Sequence, residues 1–148
     1  MRVDVTTSIV IARPRAEVFA FASDLDRTAS WYRNITSVRW LTQKPVMVGS
    51  RVAFSANFLG RTLTYTYEVR ELVPGERLAM STQEGPFAME TTYTWEEDAE
   101  GTTRMTLRNR GEPSGFANVA APVMVRAMRR ANRRDLEQLK RLIEAGAR

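Results

Sequence analysis

The sequence predicts an α+β fold in which one antiparallel sheet of about seven strands is covered by a long C-terminal helix. Apolar residues alternate with polar ones in successive segments from residue 36 to residue 110, as in strands with one buried face. Helical spacing of apolar residues precedes and follows this region. Consecutive strands favour antiparallel pairing, so the predicted order is strand, two short helices, six strands, one long helix. No linker or repeat interrupts residues 1–148, which predicts one domain.

The N-terminal part predicts one strand and two short helices. Residues 3–12 are rich in β-branched side chains, which favours a strand. Pro14 stands where a first helical turn tolerates proline. The apolar residues that follow recur at helical spacing: Val18, Phe21, Ala22 and Leu25. Asp24 is a suitable N-cap for a second short helix over 25–34, which would bury Trp31.

Six further strands are predicted between turns. Their ranges are 36–42, 50–59, 62–72, 76–83, 87–97 and 102–110. Gly60-Arg61 suits a tight hairpin, and "GEPSG" at 111–115 is predicted to end the sheet. One face of the sheet is aromatic and the other carries threonine and charge, so the aromatic face needs a cover. The remaining chain is predicted to be one helix, bent or started afresh at Pro122.

The long helix is amphipathic, with arginines along one side. At about 100° per residue, the arginines of "RAMRRANRR" (126–134) fall within roughly 140° of arc. The opposite side is apolar: Met124, Met128, Ala131, Leu139, Leu142 and Ile143. A solvated outer face is the simplest interpretation of the arginines, and a nucleic-acid or anionic membrane surface is the alternative. No aromatic residues interleave with the arginines to stack on bases, which disfavours nucleic acid. Glu137 and Glu144 are expected to pair locally with this face.

Asp135 interrupts the apolar side of this helix. A carboxylate there must be paired, be protonated or face a wet cavity. A hydrogen bond or ion pair to an arginine or tyrosine of the sheet or short helices is one explanation, and a helix drift that leaves Asp135 at the rim is another. A polar anchor or acid/base group in a pocket is the third. Asn132 borders the same arc.

Composition excludes several kinds of chemistry. The chain contains no cysteine and no histidine, which excludes thiol nucleophiles, imidazole bases and zinc sites built on either residue. No phosphate loop, dinucleotide fingerprint or metal-spaced acid cluster occurs, so neither a cofactor nor a metal is expected. The N-terminus does not have the pattern of a signal peptide, which predicts a cytoplasmic protein. A net charge of +5 permits anion binding without demonstrating it.

Four segments in order resemble the START/Bet v 1-like (SRPBCC) superfamily, and within it the polyketide cyclase/dehydrase and lipid-transport group. They are "ARPRAEVFAFASDLDRTASW" (12–31), "YEVRELVPGERLAMST" (67–82), "WEEDAEGTTRMTL" (95–107) and "RRANRRDLEQLKRLIE" (129–144). The resemblance implies a helix-grip fold, a curved sheet wrapped around the terminal helix with an apolar cavity between them. One departure is Arg33, where the family often has proline two residues after the tryptophan.

The walls of such a cavity are predicted from the alternating face of the sheet, closed by the short helices and the long helix. The candidate ligand-binding residues are Trp31, Tyr32, Phe54, Phe58, Tyr65, Tyr67, Met89, Thr91, Tyr93, Asn109, Met124 and Met128. Plain core packing explains any single aromatic residue. The set also carries buried hydroxyls and adaptable methionines, which are typical of small-molecule pockets.

Three functions fit these residues. The first is binding or transport of a hydrophobic small molecule, such as a lipid, isoprenoid or polyketide-like chain. The second, implied by the resemblance, is a cofactor-independent cyclase or dehydratase, for which Asp135, Tyr65 and Tyr93 are the candidate catalytic residues. The third is a module that contacts a partner or a peripheral membrane surface through the basic helix face. Monomer and homodimer both remain open.

Overall fold

The computed structural model describes residues 2–84, 88–113 and 118–147, and these form seven strands and three α-helices. The strands are β1 (Val3–Ile11), β2 (Ile35–Trp40), β3 (Arg51–Phe58), β4 (Arg61–Val73), β5 (Arg77–Glu84), β6 (Ala88–Glu97) and β7 (Thr103–Glu112). The helices are α1 (Arg15–Ala22), α2 (Thr28–Trp31) and α3 (Ala121–Glu144), with a 3-10 turn at Leu25–Arg27 before α2. The predicted element order is confirmed.

All seven strands belong to one antiparallel sheet in the order β1-β7-β6-β5-β4-β3-β2. The first strand pairs with the last and forms one edge of the open sheet, with Ile11 opposite Thr103. Register shifts interrupt the β2–β3 and β4–β5 pairs, and such bulges bend strands. The curved sheet and the long helix that lies against it make the helix-grip fold that the resemblance implies.

Gly111 lies inside β7, which ends at Glu112, so the sheet ends within "GEPSG" as predicted, but the strand runs two residues past its predicted end at residue 110. Gly111 pairs with Val3 on one side and with Met89 on the other. A Cβ atom at this position would lie 2.1 Å from the carbonyl oxygen of Ala88, closer than any side chain permits. The glycine therefore allows a close approach of β6 rather than marking a turn. Residues 114 and 115 of the quoted segment lie outside the described residues.

The β3–β4 hairpin turns on Leu59 and Gly60 rather than on Gly60 and Arg61 as predicted. Phe58 pairs directly with Arg61, which leaves a two-residue turn. Both turn residues have positive φ, 48° at Leu59 and 76° at Gly60. This is the backbone that a tight hairpin requires, and asparagine, aspartate or glycine usually supplies its first position. Leu59 is an unusual occupant, and its side chain is 44% exposed.

Two other helix predictions need adjustment. The long helix starts afresh at Ala121 with Pro122 in its first turn, which was one of the two alternatives for this segment. The second short helix is split into the 3-10 turn and the single turn of α2. Asp24 caps this unit as predicted, because its side chain accepts a hydrogen bond from the backbone N–H of Asp26 at 3.2 Å.

Buried apolar residues form two clusters that meet different halves of α3. The larger cluster joins α1, α2 and the sheet to the C-terminal half of α3 through Leu136, Leu139 and Ile143. The smaller cluster joins the N-terminal half of α3, through Met124 and Met128, to β1, β4 and β6. No helix among the described residues is both long and apolar enough to cross a membrane.

Candidate functional site

A cavity of about 160 Å³ lies between the concave face of the sheet and the N-terminal half of α3. Aromatic, methionine and small apolar side chains make up most of its wall, with a few hydroxyl, amide and carboxyl groups among them. The wall consists of Thr28, Tyr32, Asn34, Ile35, Phe54, Ala56, Phe58, Tyr65, Tyr67, Met80, Met89, Thr91, Tyr93, Asn109, Pro113, Met124, Met128, Ala131, Asn132 and Asp135. A mostly apolar pocket with a few convergent polar groups is the usual composition of a small-molecule site.

Eleven of the twelve residues predicted for the wall lie in it, and Trp31 is the exception. Trp31 is 1% exposed and belongs to the larger core cluster. Its ring contacts the rings of Tyr32 at 4.3 Å and Tyr93 at 5.8 Å between centroids. Trp31 therefore packs behind two wall residues, because α2 ends at Trp31 and the chain turns to extended backbone at Tyr32.

Two wall tyrosines form a hydroxyl pair. The Oη atoms of Tyr32 and Tyr93 are 2.6 Å apart, although the residues come from the end of α2 and from β6. Two hydroxyls share one proton along the line between their oxygens, so the second proton of the pair is left to donate to another acceptor. Burial raises the pKa of both tyrosines, so both stay protonated at neutral pH.

A second set of side-chain hydrogen bonds links residues of three strands, β4, β6 and β7. Thr91 donates its hydroxyl proton to Oδ1 of Asn109 at 2.9 Å. Because threonine has one proton, the hydroxyl of Tyr67 donates to Thr91, at 3.2 Å. The lone pairs of Tyr67 remain to accept a hydrogen bond. The ring centroids of Tyr65 and Tyr67 are 6.2 Å apart. Burial raises the pKa of both tyrosines.

Asp135 reaches the cavity from α3. The residue is 2% exposed, and its Oδ1 accepts a hydrogen bond from the backbone N–H of Arg33 at 3.0 Å. The hydrogen bond to an arginine of the short helices that the sequence predicts is therefore present, with the main chain of Arg33 as its donor. The helix does not drift to leave Asp135 at the rim. Desolvation raises the pKa of Asp135 to about 6, and the Arg33 N–H opposes that rise.

Several wall residues were not predicted. Ala56 and Met80 continue the inward alternation of β3 and β5, so the pattern could have given both. Thr28 and Asn132 carry buried polar atoms without a hydrogen-bond partner among the described residues, Oγ1 and Nδ2 respectively. Thr28 gave no signal, because a threonine in a helical turn is ordinarily exposed. The remaining unpredicted wall residues are Asn34, Ile35, Pro113 and Ala131.

The arginines of the 126–134 segment lie on the outer side of α3, where the angular analysis placed them. Four of the five are exposed and Arg134 is half-buried. Glu144 pairs locally as predicted, with Lys140 one turn away on the same side of the helix, at 2.6 Å. For Glu137 the prediction was wrong, because no described residue forms an ion pair with it. Within residues 2–84, 88–113 and 118–147, no group of three or more potential acidic ligands could hold a metal ion.

Comparison with known families identifies the chain's relatives. Residues 2–144 match the family described as polyketide cyclase/dehydrase and lipid transport, and the chain belongs to this family. The START/Bet v 1-like superfamily predicted from the four segments is thereby confirmed. Among the curated proteins, none matches this sequence.

Solved structures share the fold over nearly the whole chain. A protein from Thermus thermophilus is 20% identical with a TM-score of 0.83, covering 98% of this chain and 100% of that one. The Zhui aromatase/cyclase from a Streptomyces species is 17% identical with a TM-score of 0.79, covering 100% of both chains. A START superfamily protein from Mycobacterium smegmatis is 16% identical with a TM-score of 0.73, covering 96% and 94%. At these identities the likeness shows the fold alone.

Proposed function

We propose that the protein binds a hydrophobic small molecule, of lipid, isoprenoid or polyketide-like chemistry, in the cavity between the sheet and α3. One observation carries this proposal: the concave face leaves an apolar space of about 160 Å³ instead of closing onto the helix. Protein interiors are packed to the density of organic crystals, and natural cores leave few voids larger than a water molecule. The family description includes lipid transport, which supports the same function.

The cavity volume limits the ligand. An apolar cavity of about 150 Å³ is known to hold benzene, so this cavity suits one ring or a short aliphatic chain as it stands. Pockets for drug-sized ligands are larger, roughly 300–1,000 Å³. A larger ligand would therefore need displacement of wall side chains. The four methionines of the wall, Met80, Met89, Met124 and Met128, are the side chains most able to move without loss of packing.

The polar groups of the wall would orient the ligand. The spare proton of the Tyr32–Tyr93 pair suits a carbonyl or ether oxygen, and the lone pairs of Tyr67 suit a hydroxyl. Tyr93 is on β6 and Tyr67 is on β4. A ligand with one carbonyl oxygen would therefore be oriented with that oxygen toward the Tyr32–Tyr93 pair. Tyr93→Phe should weaken an oxygen-bearing ligand about three- to tenfold, the net worth of one hydrogen bond.

Native mass spectrometry of delipidated protein tests the proposal. Phenylhexanol, a neutral single-ring probe, should give a saturable one-to-one complex with the wild-type chain. Ala56→Leu fills the cavity from β3 and should abolish this complex. Ser55→Leu, one residue away, is the matched control, because Ser55 lies on the opposite face of the same strand and is absent from the wall.

Two results would contradict the proposal. Absence of any complex with phenylhexanol and with benzene would remove the binding function. Equal binding by Ala56→Leu and wild type, both shown to be folded by circular dichroism, would place the binding outside the cavity. Met128→Ala gives an independent check, because the enlarged cavity should admit a bulkier probe that wild type excludes.

A second candidate function is a cofactor-independent cyclase or dehydratase, and Asp135 is the observation that favours it. A buried carboxyl with a pKa near 6 can exchange a proton near neutral pH. Tyr93 stands on the same cavity wall as a protonated donor, with Tyr65 as a further candidate. The solved fold relatives include an aromatase/cyclase. The chemistry would then consist of folding a flexible chain and moving protons within the cavity.

The pH dependence of kcat/KM on a poly-β-keto probe tests this candidate. If Asp135 is the base, activity should rise with pH through about 6, and Asp135→Asn should remove both the activity and the inflection. Tyr93→Phe should lower kcat about 100-fold if Tyr93 is the acid. A profile unaffected by both substitutions would exclude catalysis by these residues while leaving ligand binding intact.

A further inference from the structure

A groove of about 520 Å³ adjoins the cavity at the β3–β4 hairpin and the N-terminal half of α3. Asn34, Phe58 and Ala131 belong to the walls of both. A molecule too long for the cavity would therefore extend into this groove past these three residues. The groove differs from the cavity in its chemistry, which is cationic.

Three arginines line the groove at successive turns of α3: Arg126, Arg130 and Arg134. No carboxylate is among the described residues of its wall. None of the three arginines makes an ion pair or hydrogen bond with a described residue, although nine arginines elsewhere in the described chain pair with a carboxylate within 4 Å. The Nε of Arg134 is buried and has no hydrogen-bond partner in the part of the chain that the structure describes. Guanidinium groups held together with no carboxylate within 4 Å among the described residues favour an anion between them.

Two exposed apolar side chains complete the groove. Leu59 is 44% exposed and Val123 is 57% exposed. Leu59 also holds the left-handed backbone that the tight hairpin requires, where asparagine or glycine would be less strained. Leu59 and Val123 thus place apolar surface beside the arginines, which suits a ligand that has both an apolar and an anionic part.

The charges of the cavity and the groove also favour one orientation of a bound amphiphile. Asp135 places a carboxyl group on the cavity wall, whereas the charged residues among the described wall of the groove are all arginines. An anionic group would be repelled from the first and attracted to the second. An amphiphile would thus enter with its apolar part first.

We propose that the groove is a head-group subsite, in which Arg126, Arg130 and Arg134 bind the carboxylate or phosphate of an amphiphile whose apolar part fills the cavity. This inference rests on the proposed binding function and adds the charge class of the ligand. Two sources carry that chemistry, a free acidic amphiphile and an anionic lipid head group at a membrane surface.

Matched probes separate the head group from the apolar part. Calorimetry would compare phenylbutyrate, phenylhexanoate and phenyloctanoate with the three corresponding phenylalkanols. The acid should bind about tenfold more tightly than its alcohol once the chain is long enough to reach the groove. Raising the salt concentration to several hundred millimolar should reduce this preference and leave the alcohols unchanged.

Paired substitutions on α3 supply the control. Arg126→Gln/Arg130→Gln should remove the preference for the acid while retaining the affinity for the alcohol. Arg129→Gln/Arg133→Gln removes the same charge from the same helix, but these two residues are exposed outside the groove and should leave the preference intact. Vesicles of phosphatidylglycerol and of phosphatidylcholine, mixed with each variant, test the membrane source.

The outcomes are distinct. Equal affinity for acids and alcohols would overturn the subsite and leave the binding function standing, whereas no binding of either class would overturn both. An equal loss in the two double variants would show a general positive field and no subsite. Capture by anionic vesicles without any preference among the soluble probes would overturn the proposal in favour of a membrane contact.

Discussion

The two halves of α3 differ both in what their buried side contacts and in the ion pairs on their outer side. Residues 136–144 bury Leu136, Leu139 and Ile143 in the larger core cluster, while residues 121–134 place Met124 and Met128 over a cavity. The outer sides differ in the same way. In the C-terminal half Lys140 binds Glu144 at 2.6 Å, whereas the arginines of the N-terminal half have no carboxylate within 4 Å among the described residues.

The polar contacts of the C-terminal half attach it to the sheet. Lys140 donates to the carbonyl oxygen of Val10 at 2.8 Å, and Glu144 accepts from the backbone N–H of Ala12 at 2.8 Å. Arg13 donates to the carbonyl oxygen of Glu144 at 2.6 Å. The C-terminal half of α3 is therefore hydrogen-bonded to β1 and the residues that follow it, whereas the N-terminal half forms part of the cavity wall. The two halves of the helix should respond differently to the same kind of substitution.

Shortening a buried side chain should give the largest contrast. Leu139→Ala removes a fully buried side chain from the solid core and should cost about 3–4 kcal/mol of unfolding free energy. Met128→Ala removes contacts that already border empty space and should cost about 1–2 kcal/mol. Urea unfolding monitored by circular dichroism measures both. Equal costs would mean that the cavity closes around Met128 in solution and that the two halves do not differ.

The two carboxylates of α3 should affect the pH dependence of stability with opposite signs. The pKa of Asp135 is raised from 3.8 to about 6, so between these values only the unfolded chain is ionised and the folded protein loses stability as pH rises. The two-unit difference corresponds to about 3 kcal/mol above pH 6. Asp135→Asn should therefore match wild type near pH 4 and exceed its stability by up to about 3 kcal/mol at pH 7.

Glu144→Gln is the matched variant in the C-terminal half. The N–H of Ala12 and the ammonium of Lys140 hold the pKa of Glu144 below its usual value, so its stabilisation is present at neutral pH and is lost on acidification. The variant should lose about 1 kcal/mol at pH 7 and nothing near pH 3. Unfolding curves at pH 3, 4, 5, 6 and 7 compare the two variants. A shift of the same sign for both would contradict the assigned environment of Asp135.

Neutralising a surface cation should give the smallest contrast. Arg130 has like charges one turn away at Arg126 and Arg134, so Arg130→Gln should stabilise the protein by a few tenths of a kcal/mol at low salt. Lys140→Gln removes an ion pair and a contact to β1 and should destabilise it by about 1 kcal/mol. Thermal unfolding at low and high salt measures both. Destabilisation by Arg130→Gln would show that the arginines are paired in solution.

The sequence was sufficient for the fold because its patterns are local. Period-two alternation located all six later strands, and Asp24 and Pro122 marked helix starts through their own capping and backbone chemistry. The main boundary error, at Gly111, arose because close approach of a neighbouring strand gives glycine the same advantage as a turn does. Nothing in the sequence around residue 111 distinguishes the two.

The cavity wall was predictable where it follows strand alternation and not where it depends on contacts between distant segments. Inward positions such as Phe54 and Tyr93 follow from their strands. The partner of Asp135 is a backbone N–H 102 residues away, which no spacing rule indicates. Whether an arginine has a carboxylate partner likewise depends on tertiary contacts. The simplest interpretation of "RAMRRANRR" from the sequence was a solvated outer face. Helical angle placed these arginines outside, but only the structure shows that three of them line a groove.

The methionines allow the most direct test of a ligand in the cavity. Met80, Met89, Met124 and Met128 line it, whereas Met105 is buried in the larger core and Met47 is exposed in a loop. NMR spectra of protein labelled at the methionine methyl groups would be recorded during a titration with phenylhexanoate. We predict saturable shifts of the four cavity methyl resonances, with those of Met47 and Met105 unchanged. Saturating shifts confined to Met47, or no shifts at any methionine, would contradict the account.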